Sequence, residues 1–434
     1  MVFCCYKKIA KVLLVALLLQ VVRPATIFAS DILWPGLINL YNENINLNEV
    51  LPEKATSSGS KKGFLLTGDA NEIFTLGAGH IAVNVTLSGI SHTFIQYLKD
   101  LKERGIKITI ILTNDRAPVG TDIVNIPQGI EKPVLYMIDF NASNGVWQKY
   151  NFERVVKDYG DIADNWIIGN EINSQAYNFY GPCDVREYTK VYCETFLKCY
   201  NAIKEVNENA NVYISFDQGW DLPNLRMNNT RDKSELRKYR YNAKDMIALI
   251  NNYLDKSVEW GIALHPYPAP VDSAIFWDDP HAGYDEDAKD DNDRPYYMTL
   301  KNFEIVIEYL KNSAFLTKDK EVRNIIISEF GITANDGERL QAAALYYLWQ
   351  KIENNDYVKC LLYYSLNDLD DYRFGLISNK NRKRIIWALF KDMDRPDENA
   401  WCKDLLDEVL EEHGLMQIDK YFFKIASVSE ILKQ

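Results

Sequence analysis

The sequence predicts an α/β protein built as a (β/α)8 TIM barrel, with a short irregular N-terminal segment and a C-terminal helical extension. Three observations predict it. Short apolar runs recur along the chain, as expected of parallel strands buried on both faces. Helical stretches separate them, the alternation of βα units. The first run ends in Thr86-Leu87-Ser88-Gly89, without the glycine-rich phosphate loop that usually marks the competing open sheet. The 434 residues allow one large domain or two ordinary ones. Apolar content of 47% and charged content of 25% describe an ordinary globular protein. A net charge of −12 argues against nucleic acid or an anionic membrane as the main partner.

Residues 1–29 read as a secretory signal peptide. Lys7, Lys8 and Lys11 precede an apolar run from Val12 to Val22, and Ala29 precedes the expected cut. An uncleaved anchor over Val12 to Ala29 is the alternative. The expected location is therefore secreted or cell-surface, with no membrane contact after cleavage. Residues 30–63 read as an N-terminal segment and linker, ending in Ala55-Thr56-Ser57-Ser58-Gly59-Ser60-Lys61-Lys62-Gly63. The barrel is expected over 64–395 and the helical extension over 396–434.

Within the barrel, strands are expected at His80–Leu87, Ile106–Leu112, Val134–Phe140, Trp166–Ile172, Val212–Phe216, Gly261–His265, Ile325–Phe330 and Cys360–Ser365. Helices are expected over 93–103, 150–158, 185–206, 242–255, 299–311 and 338–351. The clearest is 185–206, where Val185, Tyr188, Tyr192, Phe196, Cys199, Ile203 and Val206 fall on one face. Gly181-Pro182 and Asp184 supply its turn and cap. Cys183, Cys193, Cys199, Cys360 and Cys402 are too few and too scattered for a disulfide framework or a zinc site, and are expected to be unpaired.

Two carboxylates end strands: Glu171, in Gly169-Asn170-Glu171, and Glu329, in Ser328-Glu329-Phe330-Gly331. Strands four and seven lie on opposite sides of an eight-membered ring, and barrel chemistry sits at the C-terminal strand ends. Glycoside hydrolysis needs one carboxylic acid and one ionised carboxylate on opposite faces of the sugar. Asn170 is placed to hydrogen-bond a sugar hydroxyl.

Asn-Glu ending strand four, with a second Glu ending strand seven, resembles clan A of the retaining glycoside hydrolases over roughly residues 80–370. The resemblance implies Glu171 as acid/base and Glu329 as nucleophile, a carbohydrate substrate, and no metal or organic cofactor. It also implies that His265 or Tyr267 hydrogen-bonds the nucleophile. Gly169-Asn170-Glu171-Ile172-Asn173, Tyr213-Ile214-Ser215-Phe216-Asp217, His265-Pro266-Tyr267-Pro268 and Ser328-Glu329-Phe330-Gly331 further resemble a bacterial family of secreted barrel proteins known as a domain of unknown function. Two features depart from the clan. Tyr363-Tyr364-Ser365 stands where a tryptophan often ends strand eight, and only Arg116, in a loop, answers the usual arginine near strand two.

Asp217 and Trp220, past strand five, are further substrate-binding candidates, as aromatic faces suit sugar rings. Trp277, Tyr284, Tyr296 and Tyr297 flank the loop after strand six, and Asn84, Asp139 and Asn141 end other strands. The aspartate-rich stretch 278–293 lacks the spacing of an EF-hand and reads as a solvated loop, with calcium binding as the alternative. The rival functions are a non-catalytic sugar-binding barrel and a metal-dependent hydrolase; five histidines make the second thin. The sequence is silent on oligomeric state.

Overall fold

The computed structural model describes residues 59–67, 71–86, 92–113, 145–175, 177–178, 180–223, 237–277, 297–369 and 371–415. Eight parallel strands close into a barrel in sequence order. They are β1 (Lys62–Leu65), β2 (His80–Thr86), β3 (Lys107–Thr113), β4 (Asn165–Ile168), β5 (Asn211–Phe216), β6 (Gly261–Leu264), β7 (Ile325–Phe330) and β8 (Val358–Tyr363). The helices in chain order are α1 (Asn71–Thr75), α2 (His92–Glu103), α3 (Gly145–Tyr159), α4 (Val185–Val206), α5 (Ala243–Tyr253), α6 (Glu304–Leu310), α7 (Glu338–Glu353), α8 (Ile385–Asp392) and α9 (Ala400–Glu412). The α9 helix lies in the expected C-terminal extension and packs, like α8, on α7.

The (β/α)8 barrel is as expected, but its first strand is not. The segment Val134–Phe140, expected as a strand, lies outside the described residues. Among the described strands, β3 pairs directly with β4, Thr109 against Asn165 and Leu112 against Ile168. The ring instead closes through β1, which lies partly inside the stretch read as linker. Gly63 pairs with His80 on one side and Leu362 on the other.

Alternation along each strand splits the apolar runs between two cores. Leu65, Ala82, Ile111, Ile167, Tyr213, Ala263, Ile326 and Leu362, one from each strand, fill the interior. Their neighbours, among them Phe64, Ile110, Trp166, Ile214 and Ile327, face the helices. On α4, Tyr188, Tyr192, Phe196, Cys199 and Ile203 are buried as the spacing requires, while Val206 is exposed. Asp184 caps this helix, accepting from the backbone N–H groups of Arg186 and Glu187. The five cysteines are unpaired.

Candidate active site

The β4 strand ends at Ile168, and the chain turns sharply to present Glu171. Gly169 has φ +77° and Glu171 itself φ +46°. Glycine takes this region freely, whereas a glutamate there is strained. An added Cβ at Gly169 would lie 2.8 Å from Asn178 Oδ1. The turn is held by Asn178 Nδ2 donating to the Asn170 carbonyl at 2.6 Å and by Glu171 N–H donating to Ser215 Oγ at 3.1 Å.

Glu329 reaches the mouth through an irregularity in β7. Ile327 pairs with Leu361 and Phe330 with Tyr363, so β7 spends an extra residue against β8. Such a bulge re-aims side chains. Here it lets neighbours face the same centre: Ser328 Oγ lies 3.0 Å from His265 Nε2, and Glu329 Oε1 accepts from the Tyr267 hydroxyl at 2.9 Å.

His265 joins the two sides. Its Nδ1 lies 2.8 Å from Glu171 Oε1 and its Nε2 lies 3.3 Å from Ser215 Oγ. One carboxylate oxygen of Glu171, one of Glu329 and a ring nitrogen of His265 lie within 4.8 Å of one another. The two glutamates therefore meet across the mouth.

Their surroundings differ. Burial pushes Glu171 up to about 7, against the pull of the Arg240 guanidinium. Burial lowers His265, against Glu329 and Asp217, and so favours the neutral ring. Burial and then the Glu329 charge raise Tyr267, so its phenol stays protonated as a donor to that carboxylate.

The remaining candidates divide. Asn170 is half-buried beside Glu171, and its amide makes no hydrogen bond to the described residues. Asp217 is buried beneath the rim, accepting from Asn173 Nδ2 and from Gly219 N–H at 2.8 Å. Burial, then the Glu171 charge, push it up to about 6. It therefore feels the Glu171 charge and holds the Asn173 loop rather than offering itself to the opening. Trp220 is 4% exposed and packs edge-on against Tyr309 of α6 at 5.3 Å, so it belongs to the outer core and not to a sugar site. Trp277 likewise packs on Phe276 and His413, and Tyr297 is buried. Arg116, Asp139, Asn141, Tyr284, Tyr296 and the loop 278–293 lie outside the described residues.

Sequence reasoning missed four participants. Ser215 and Ser328 flank His265, and serines at strand ends carry no signal of their own. Arg240 comes from a segment that pairs with the loop after β4, as Ser174 bridges Arg240. It supplies the buried positive charge near Glu171. Tyr177 is raised well above the usual phenol range by burial, then by Glu171 and Glu329, which places it beside both.

Glu171, His265 and Glu329 are also the donors a divalent cation would use. Both His265 nitrogens already face protein partners, Nδ1 the Glu171 carboxylate and Nε2 the serines. A cation at His265 would have to displace one of them.

The profile of a family described as a family of unknown function, DUF5722, matches residues 92–411, well over half of the chain. The chain belongs to the DUF5722 family. No curated protein matches it. Among solved structures, this DUF5722 protein is similar to a family 39 glycoside hydrolase from the gut symbiont Bacteroides cellulosilyticus WH2. The identity is 14% and the TM-score 0.52, with 80% of this chain and 66% of that chain covered. A family 1 β-glucosidase from Thermotoga maritima is similar at 13% identity and TM-score 0.43, over 76% of this chain and 84% of that one. The DUF5722 chain thus spans just under two thirds of the family 39 enzyme's length. At such identity the likeness to the family 39 enzyme is one of fold, a glycosidase-like barrel.

Proposed function

We propose that this DUF5722 protein is a retaining glycoside hydrolase cleaving O-glycosidic bonds of an oligosaccharide or polysaccharide. The observation that carries this reading is the approach of one carboxylate oxygen of Glu171 to within 4.8 Å of one of Glu329, which brings the two carboxyl groups together rather than a water's breadth apart. Retaining enzymes hold their carboxyl groups about 5–5.5 Å apart, whereas inverting ones leave about 6.5–9.5 Å for a water. Unequal surroundings support the division of labour. Glu171, raised to about 7, keeps a proton near neutrality. Glu329 accepts a hydrogen bond from the Tyr267 hydroxyl, which fixes one carboxylate oxygen and fits the nucleophile's part.

In the first step Glu329 attacks the anomeric carbon. The bond to the leaving oxygen breaks as Glu171 gives that oxygen its proton. In the second step water attacks the same carbon, Glu171 takes the water's proton, and the ester to Glu329 breaks. His265 orients Glu171 through one oxygen, leaving the other for the proton in transit. Asn170 is assigned to a substrate hydroxyl. Export of the chain is also proposed, on the basic and apolar N-terminus, which lies outside the described residues.

The test is a panel of activated aryl glycosides assayed with wild type, Glu171→Ala and Glu329→Ala. Either substitution is expected to cut kcat by at least about a hundredfold, in line with general acid–base catalysis worth about 10²–10⁴. Full activity in either variant refutes the roles. Tight glycan binding without turnover on any substrate points instead to a non-catalytic sugar-binding barrel.

A further inference from the structure

Beside the glutamates, the loop after β8 carries a pair of aromatic rings. Tyr372 and Phe374 stack with centroids 5.2 Å apart and planes only 7° from parallel. Phe374 is buried, whereas Tyr372 is 38% exposed. The pair continues inward to the reacting groups. Phe374 lies 5.8 Å from the ring of Tyr267, whose hydroxyl holds Glu329. It also meets Tyr364, at the end of β8, edge-on at 6.3 Å. An unbroken row of rings therefore runs from Glu329 to the surface.

The row is rigidly mounted. Arg373 adopts φ +56°, which sets the two rings on either side of it against each other. Thr333 Oγ1 donates to the Tyr372 carbonyl at 2.7 Å, and Tyr363 donates to the Phe374 carbonyl at 2.9 Å. Gly331, two residues past Glu329, lets Phe374 and the end of β8 approach: an added Cβ there would lie 2.5 Å from the Tyr364 carbonyl oxygen and 2.8 Å from the Phe374 ring. Asp368 and Arg384 clamp the base of the loop through two hydrogen bonds of 2.7 and 2.6 Å.

We propose that Tyr372, backed by Phe374, is a stacking platform for a second sugar unit. The substrate class is then a chain of pyranoses with mostly equatorial hydroxyls, not a single sugar on a small leaving group. Such rings present a flat face of C–H groups that suits an aromatic plane with a polar rim. Two rings, Phe374 and Tyr267, separate Tyr372 from Glu329, so the unit it holds is not the one Glu329 attacks. The inference rests on the glycosidase reading of the same site and names its substrate.

The experiment measures binding of cellotetraose and xylotetraose by calorimetry to Glu329→Gln, with and without Tyr372→Ala or Tyr372→Phe. Beside it, wild type and Tyr372→Ala are assayed on aryl glucoside and aryl xyloside and on the tetrasaccharides. Tyr372→Ala is expected to weaken binding of at least one tetrasaccharide by about tenfold, a stacking contact's worth. Tyr372→Phe, which keeps the ring, should stay within about twofold. The loss in kcat/KM should be larger for the tetrasaccharide than for the aryl monoglycoside. Equal losses on long and short substrates, unchanged affinity in Tyr372→Ala, or no binding of either tetrasaccharide overturns the platform. Failure of the glycosidase reading looks different: no turnover by wild type, with the binding comparison still read.

Discussion

At Glu171 the chain keeps a carboxyl group protonated by enclosing it, and that has consequences for both rate and stability. With Glu171 as the acid at about 7, kcat/KM should fall as pH rises through about 7, because the deprotonated form cannot assist the leaving oxygen. A pH profile without a basic limb near 7 would remove Glu171 from the acid's role. The same shift costs stability. The folded pKa lies above the ordinary value of 4.5, so the native state holds the proton more tightly. Stability from this group is full below the ordinary value and is lost as pH rises to about 7. Each pK unit is worth about 1.4 kcal/mol. Glu171→Gln should therefore be the more stable protein at pH 8, by roughly 3 kcal/mol, and no more stable than wild type at pH 4. Thermal unfolding at the two pH values measures this; a gain at pH 4 equal to that at pH 8 contradicts it. Since both nitrogens of His265 have protein partners, incubation with EDTA should leave hydrolysis unchanged. Loss of activity restored by a divalent cation would move the chemistry to a metal. The glutamates, Asn170, His265 and Tyr267 were legible in the sequence because each sits in a short motif at a strand end. Trp220 misled, since an aromatic residue past a strand reads alike whether it faces a sugar or, as here, Tyr309.

At the scale of the strands, the two departures from expectation have physical causes. The β1 strand hides its apolar residues behind Lys62 and Gly63. Lys62 is buried all the same, donating to the carbonyls of Phe390 and Lys391 at 2.8 Å each and pairing with Asp394. Gly63 lies so close to β2 that an added Cβ would sit 2.2 Å from the His80 carbonyl oxygen. The irregularity in β7 was equally illegible, because strict alternation would turn Ser328 and Glu329 to opposite faces. Gly63→Ala should destabilise by about 1–3 kcal/mol, the usual cost of overpacking, as read by urea unfolding. Gly331→Ala should also lower kcat, because its Cβ meets both Phe374 and the Tyr364 carbonyl. Wild-type stability in the first variant, or wild-type kcat in the second, contradicts these close approaches.

For the whole molecule, the ring is what brings residues 158 positions apart, Glu171 and Glu329, to the same point. Neither strand end meets the other without closure, and closure depends on β1 pairing with β8. A chain beginning at residue 66 should therefore lose cooperative unfolding, whereas one beginning at residue 59 should keep it. Scanning calorimetry distinguishes the two, and equal transitions would show that β1 is dispensable. The measurement that tests the central claim most directly is mass spectrometry of the protein after incubation with 2-deoxy-2-fluoro glycosyl fluorides of glucose, galactose, mannose and xylose. The account predicts a covalent adduct of one fluorosugar on Glu329, absent from Glu329→Gln. An adduct on another residue, or hydrolysis with inverted configuration and no adduct, would contradict it.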